Sequence, residues 1–183
     1  MKIPLKIKGQ RNYIQGGDFF DGINVLLHDE NILDLSFRNF TLCECNLEQV
    51  KNENTIANLR TNKGNYYINK TDSLVVKRVE YKEELIVSGA YLDSLTISLN
   101  HFVTGFTTME HIIALTKLLS NELDPLEKGK WVFAQLKLKA EIPSLFKTIS
   151  ISSEQRIMNK FSKNKIIIDN QDVGFINFIV GEP

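Results

Sequence analysis

The chain has 183 residues, with 22 basic and 22 acidic side chains, a net charge of zero and 43% hydrophobic residues. This length fits one domain or two fused half-units, and the hydrophobic content can fill a sizeable core, which excludes a disordered chain. A neutral chain has no general attraction for nucleic acid or an anionic membrane, so we expect neither as a partner. Near-zero charge is compatible with self-association, which leaves a homodimer open.

The N-terminal segment and the two cysteines indicate the compartment. Residues 1–8 alternate between apolar and polar side chains, lack the apolar core of a signal peptide, and no later run approaches the length of a membrane span. Cys43 and Cys45 are two positions apart, which disfavours a disulfide between them, and the sequence offers no second ligand pair for a metal. We therefore expect reduced thiols, no metal, no cofactor and a cytoplasmic protein.

Strand signals dominate the chain. A change of phase after residue 37 predicts a bulge near Asn39, and the sequence Asn-Lys-Gly-Asn at 62–65 predicts a hairpin turn. Another turn is predicted at 169–172, and we expect Trp131 in the core. Alternation or short apolar runs predict strands at residues 3–7, 33–42, 56–60, 66–68, 74–79, 85–87, 95–99, 132–138, 149–151, 166–168 and 173–179.

Two helices are predicted. Thr107 and Glu110 have the Thr-x-x-Glu spacing of a capping box, apolar residues follow at helical intervals, and Pro125 bars continuation. A weaker helix is predicted at 18–27, where Gly22 costs roughly 1 kcal/mol relative to alanine.

Residues 5–27 and 95–119 repeat one order: a strand, an aromatic-rich loop ending at Gly17 or Gly105, and a helix. Each copy is followed by several strands. This order resembles the hotdog fold, a curved antiparallel sheet around one helix. The repeat therefore predicts an α+β double hotdog, with halves at residues 1–90 and 91–183. The rival interpretation is a single unrelated α+β domain.

The loop before the second helix resembles that of hotdog hydroxyacyl-thioester dehydratases, whose motif is His-Phe-Pro-Gly followed by Met, Pro and the central helix. The matching residues are His101, Phe102, Gly105 and Met109; both motif prolines are absent, and Leu115 and Thr116 occupy the region of the family's helix acid. The resemblance implies an acyl thioester, on CoA or an acyl carrier protein, bound beside the helix and dehydrated or hydrolysed.

The residues of the second half suit that chemistry. His101 is a candidate general acid–base, and backbone amides at 105–108, including those of Gly105 and Thr107, are candidate donors to the thioester carbonyl. Glu110 is either the acid–base partner of His101 or a helix cap. We expect His28 and His111 to be exposed to solvent.

The first half offers a parallel set before its own helix. Tyr13 occupies the loop position that corresponds to His101, and Tyr13 and Asp18 are candidate catalytic groups at the mouth of a pocket. Gly17 permits positive φ or close approach to a ligand, and Arg11 is a candidate partner for a pantetheine phosphate. The alternatives are a tight turn capped by Asp18 and a surface arginine.

The basic segment 156–165 is interpreted as a solvated hairpin, with nucleic-acid binding or docking of an acyl carrier protein as weaker alternatives. The sequence thus favours an acyl-thioester-binding protein or enzyme of fatty-acid- or polyketide-like metabolism, either a dehydratase (a lyase) or a thioesterase. The alternative is a non-catalytic ligand-binding or assembly module of the same fold.

Overall fold

The computed structural model describes residues 1–182, which form two compact units, Met1–Tyr81 and Lys82–Glu182. The sequence placed the division at 90/91, and the structure assigns residues 82–90 to the second unit. No helix among the described residues has both the length and the apolar character required to cross a membrane.

The first unit contains one helix and six strands: β1 Ile7–Lys8, α1 Gly16–Leu26, β2 Ile32–Phe37, β3 Cys43–Glu48, β4 Thr55–Thr61, β5 Asn65–Leu74 and β6 Arg78–Val79. Four strands form an antiparallel sheet in the order β3-β5-β4-β2, and β1 and β6 form a short parallel pair. The helix buries Phe19, Phe20 and Ile23, and the sheet buries Leu35 and Leu59.

The second unit contains two helices and six strands: α2 Glu83–Val87, β7 Tyr91–Asp93, β8 Thr96–Leu99, α3 Thr108–Leu123, β9 Lys130–Leu138, β10 Ile149–Ile157, β11 Phe161–Ile168 and β12 Gln171–Gly181. The strands lie in the order β9-β12-β11-β10-β8-β7, all antiparallel to their neighbours. The long helix α3 contacts β8, β9, β10 and β11, so it lies along the sheet.

Several sequence predictions are confirmed. The hairpin at 62–65 connects β4 to β5, and residues 156–165 form the hairpin between β10 and β11, whose turn at 157–160 is exposed while Ser162 and Asn164 are buried. Asp169 and Asn170 have φ of 48° and 67°, the backbone of a two-residue hairpin turn that favours such side chains. Trp131 is buried, and its indole N–H donates to the carbonyl of Asp124.

The helix at α1 is confirmed, and its internal glycine has a local cause. A Cβ at Gly22 would lie 2.9 Å from the Cγ2 of Ile3 and 3.1 Å from the carbonyl oxygen of Pro4. Because the N-terminal segment crosses the helix this closely, only glycine fits without a shift of backbone. Close packing of the chain therefore accounts for a residue that lowers helix propensity.

Two local predictions are wrong, and the predicted bulge near Asn39 is found. Leu85 lies in α2 and not in a strand, because Glu83 and Glu84 occupy a first turn where the helix dipole favours acidic side chains. Just beyond β2, the backbone N–H groups of Arg38 and Asn39 both donate to the carbonyl of Ile56, at 2.7 and 3.4 Å, which is the two-against-one pairing of the predicted bulge. The N-terminal strand is only Ile7–Lys8, since the remainder of this segment makes one isolated bridge, from Lys2 to Asn46.

Candidate functional site

The loop between β8 and α3 carries His101 at the surface of the second unit. Its imidazole is exposed, and a Cβ at Gly89 would lie only 2.7 Å from the Cε1 atom of His101. The absence of a side chain at residue 89 therefore makes room for the ring. The loop ends at Gly105, whose φ of 90° is unfavourable for other residues and whose missing side chain would point into open space.

The start of α3 is fixed by the capping box that the sequence predicted. The Thr107 hydroxyl accepts from the backbone N–H of Glu110 at 3.2 Å, and the Glu110 carboxylate accepts from the backbone N–H of Thr107 at 2.7 Å. Glu110 is buried, and its Oε2 atom is committed to the backbone of the loop. The Thr107 amide, predicted from the sequence as a donor to the thioester carbonyl, therefore already donates to Glu110.

His111 is fully buried, so the prediction of an exposed side chain is wrong. Its Nδ1 lies 2.7 Å from the Thr107 carbonyl oxygen, and its Nε2 accepts from the backbone N–H of Val103 at 3.1 Å. A ring with one donor and one acceptor nitrogen is neutral. Burial lowers the pKa of His111, and its ring stacks on Phe102 with centroids 4.7 Å apart. His111 thus ties the loop to the helix.

The start of α1 in the first unit is built around a buried ion pair. Lys8 Nζ lies 3.0 Å from Asp18 Oδ1, and both side chains are only 1% exposed. The Lys8 ammonium also lies 3.5 Å from Gln15 Oε1 and 5.0 Å from the ring centroid of Tyr81. Nothing in the sequence pattern around Lys8 marks it as buried, and the partner that explains Asp18 lies ten residues away.

The other candidate residues of the first unit lie around this pair. The Arg11 guanidinium is 4.9 Å from the Tyr81 ring centroid, and its Nη1 donates to the Lys8 carbonyl at 3.5 Å. Tyr13 is half-buried and packs edge-on against Phe40, with ring centroids 5.5 Å apart.

Two predictions about the start of α1 are corrected by its geometry. The N-cap residue is Gln15, which makes no side-chain capping bond, and Asp18 lies inside the first turn. The sequence interpretation of Asp18 as the cap is therefore wrong. Gly17 is a helical residue, so its expected positive φ is not found.

The cysteines also have distinct environments. Cys45 is fully buried and Cys43 half-buried, and both are free thiols. Burial raises the pKa of Cys45 to about 12, which makes its thiol unreactive at neutral pH. Among residues 1–182, no three His, Cys, Asp or Glu side chains are grouped closely enough to hold a metal ion.

Comparison with known proteins shows the fold. No protein-family profile and no curated protein matches the sequence. Among solved structures, the chain is similar to a monomeric dehydratase domain from a trans-AT polyketide synthase split module, with 10% identity, a TM-score of 0.53, and coverage of 98% of this chain and 96% of that one. It is also similar to a bifunctional dehydratase-cyclase domain in ambruticin biosynthesis, with 8% identity, a TM-score of 0.50, and coverage of 93% and 82%. The predicted α+β hotdog fold is confirmed.

Proposed function

We propose that this chain binds an acyl thioester, carried on CoA or an acyl carrier protein, in fatty-acid- or polyketide-like metabolism. The observation that carries the proposal is the similarity over almost the whole chain to a polyketide synthase dehydratase domain. The exposed His101 supports it, because this imidazole stands in the loop that leads into the capped helix α3.

His101 is the acid–base group in this proposal. For dehydration, its imidazole takes the proton from the carbon next to the thioester carbonyl and returns it to the β-hydroxyl. The carbon–carbon double bond forms as the β-carbon–oxygen bond breaks and water leaves. For hydrolysis, the imidazole takes a proton from water, the resulting hydroxide adds to the carbonyl carbon, and the thiol leaves with that proton. In both reactions a single histidine takes up one proton and gives it back, so no second acid–base group is required.

The remaining candidates take supporting roles. Gly105 holds the loop open beside the substrate. Thr107 and Glu110 position the loop through the capping box. The first unit, taken by itself, has its own proposed site, in which Tyr13 contacts a ligand and the Arg11 guanidinium pairs a pantetheine phosphate. We assign Asp18 a positioning role, since its carboxylate is buried against Lys8.

A non-catalytic module is the second candidate function. Leu115 and Thr116 are buried in α3, and the Thr116 hydroxyl donates to the Ile112 carbonyl within the helix at 2.7 Å. Helix α3 therefore supplies no acid where the dehydratase motif has one. In this alternative the chain holds a thioester or assembles with a partner without turning the ligand over.

The test is an assay of the full chain with a panel of 3-hydroxyacyl and saturated acyl thioesters, on CoA and on a carrier protein. Enoyl product is followed by absorbance and free thiol by a colorimetric reagent. We expect His101→Ala to abolish turnover and His28→Ala to retain it. Binding without turnover in the parent chain favours the module, and binding of no thioester at all rejects the proposal.

A further inference from the structure

We propose that an open groove on the outer sheet face of the first unit binds a small phosphomonoester that also carries a hydrogen-bond donor. The Asn58 groove is defined by Ser36, Arg38, Lys51, Asn58, Arg60 and Tyr67, and its volume is about 380 Å³. This volume lies within the usual range for small-molecule sites, roughly 300–1,000 Å³. The assignment goes beyond the thioester chemistry proposed for His101.

The strand register brings the groove residues together. Asn58 of β4 pairs with Ser36 of β2 on one side and with Tyr67 of β5 on the other. Arg60 lies two positions further along β4 and therefore projects on the same face, about 7 Å away. Leu59, between them, is buried on the opposite face. This outward row of polar side chains is thus a consequence of the two-residue period of a strand.

The charge of the groove favours an anion. Arg38, Lys51 and Arg60 are exposed cations that line it, and Asp34 is its one acidic residue. The chain as a whole has no net charge, so this local excess is not a reflection of overall composition. Guanidinium groups provide paired N–H donors that match the oxygen atoms of a phosphate.

The side chain of Asn58, in the groove, has a hydrogen-bond acceptor without a donor. Its Oδ1 atom accepts no hydrogen bond from the described residues and lies below the accessible surface, so a ligand donor reaches it only when the Asn58 side chain rotates toward the groove. A buried acceptor without a donor costs roughly 1–3 kcal/mol, and a ligand hydroxyl or amino group would recover part of that cost. The half-buried Tyr67 ring beside it offers a wall for a flat ligand. Cations at the edges and a central acceptor together specify a phosphate joined to a donor-bearing group.

The experiment uses AMP, adenosine and inorganic phosphate as probes of the full chain by equilibrium dialysis. We expect AMP to bind more tightly than phosphate and adenosine to bind least. Arg38→Gln and Arg60→Gln should each weaken AMP about tenfold, since a charge-assisted hydrogen bond contributes roughly that factor. Asn58→Leu should weaken the binding of AMP and leave the binding of inorganic phosphate unchanged. Lys70→Gln, an exposed lysine of β5 outside the groove, is the matched control.

Circular dichroism and urea unfolding would confirm that each variant is folded, so that a loss of binding reports on the groove. The inference is overturned if AMP does not bind the folded parent chain, or if Lys70→Gln weakens AMP as much as Arg60→Gln. It is also overturned if inorganic phosphate binds as tightly as AMP, because the Asn58 acceptor then has no role. Thioester turnover at His101 should be unchanged in all four variants, so failure here is distinguishable from failure of the proposed function.

Discussion

At the first turn of α1, the buried carboxylate of Asp18 is neutralised by the ammonium of Lys8, whereas at the first turn of α3 the buried carboxylate of Glu110 accepts a backbone N–H of its own capping box. The first arrangement depends on a charge from another element, and the second on a bond between residues three positions apart. The start of α3 is therefore stabilised by residues within the helix and its N-cap, whereas the start of α1 is stabilised only once β1 has packed beside it.

The largest effect is expected from breaking the charged arrangement. Asp18→Asn leaves the Lys8 ammonium buried without a counter-charge, which should lower the free energy of unfolding by about 3–5 kcal/mol. Urea unfolding of the full chain measures this change. Glu44→Gln is the control, because its partner Lys2 is 64% exposed and such surface pairs contribute at most about 1 kcal/mol.

A double variant sharpens the same point. Replacing both members, as Lys8→Met with Asp18→Leu, removes the unpaired charge and should recover most of the lost stability. Equal effects of Asp18→Asn and Glu44→Gln would show that the buried pair is not what holds the start of α1.

The pH dependence of stability should reveal the neutral arrangement at α3. Burial lowers the pKa of His111 below its ordinary 6.5, so the unfolded chain binds this proton at a higher pH than the folded chain. The stabilising contribution of neutral His111 to the free energy of unfolding is therefore fully present above the unfolded pKa. It is lost as the pH falls through 6.5 toward the pKa of the folded chain, because the unfolded chain takes up the proton first. Urea unfolding across this range should show the decline, and His111→Gln should flatten it.

A parent profile that stays level as the pH falls through 6.5 would contradict the neutral bridge between Thr107 and Val103.

A smaller loss of stability is expected at the capping box, where variants of Thr107 and Glu110 distinguish helix capping from acid–base catalysis. Thr107→Ala removes the hydroxyl that accepts from Glu110 N–H and should cost about 1 kcal/mol of stability. Glu110→Gln keeps an acceptor for the Thr107 N–H, so it should cost less than Thr107→Ala and leave thioester turnover unchanged. Loss of turnover in a stable Glu110→Gln protein would return Glu110 to the role of acid–base partner.

The smallest change in stability is expected at Gly89, which is exposed. Gly89→Ala places a methyl group 2.7 Å from the Cε1 position of His101, so the imidazole must move. Moving the imidazole out of its catalytic position should reduce turnover by roughly tenfold or more, with little effect on the free energy of unfolding. Gly64→Ala, where a methyl group would meet no atom within 4 Å, is the control for turnover. Unchanged turnover in Gly89→Ala would argue against a catalytic His101.

The sequence predicted those features whose cause is local. The capping box at Thr107 and Glu110, the turn at 62–65 and the long strands follow from residues a few positions apart. Lys8 was missed because its partner Asp18 comes close only when the loop folds. His111 was missed because it lies off the apolar stripe of α3, yet residues 108–116 are buried on every side of the helix. A helix enclosed on all faces has no solvent face that periodicity can detect.

The three histidines allow a direct spectroscopic test of whether an acyl thioester binds beside His101. In ¹H–¹³C spectra of the full chain, a non-hydrolysable acyl-CoA analogue is titrated while the Cε1 signals of His28, His101 and His111 are followed, each assigned by substitution. We expect a saturable shift of the His101 signal, with the His28 signal unchanged. A His101 signal that stays unchanged at saturating analogue, or a His28 signal that shifts equally, would contradict an acyl thioester bound beside His101.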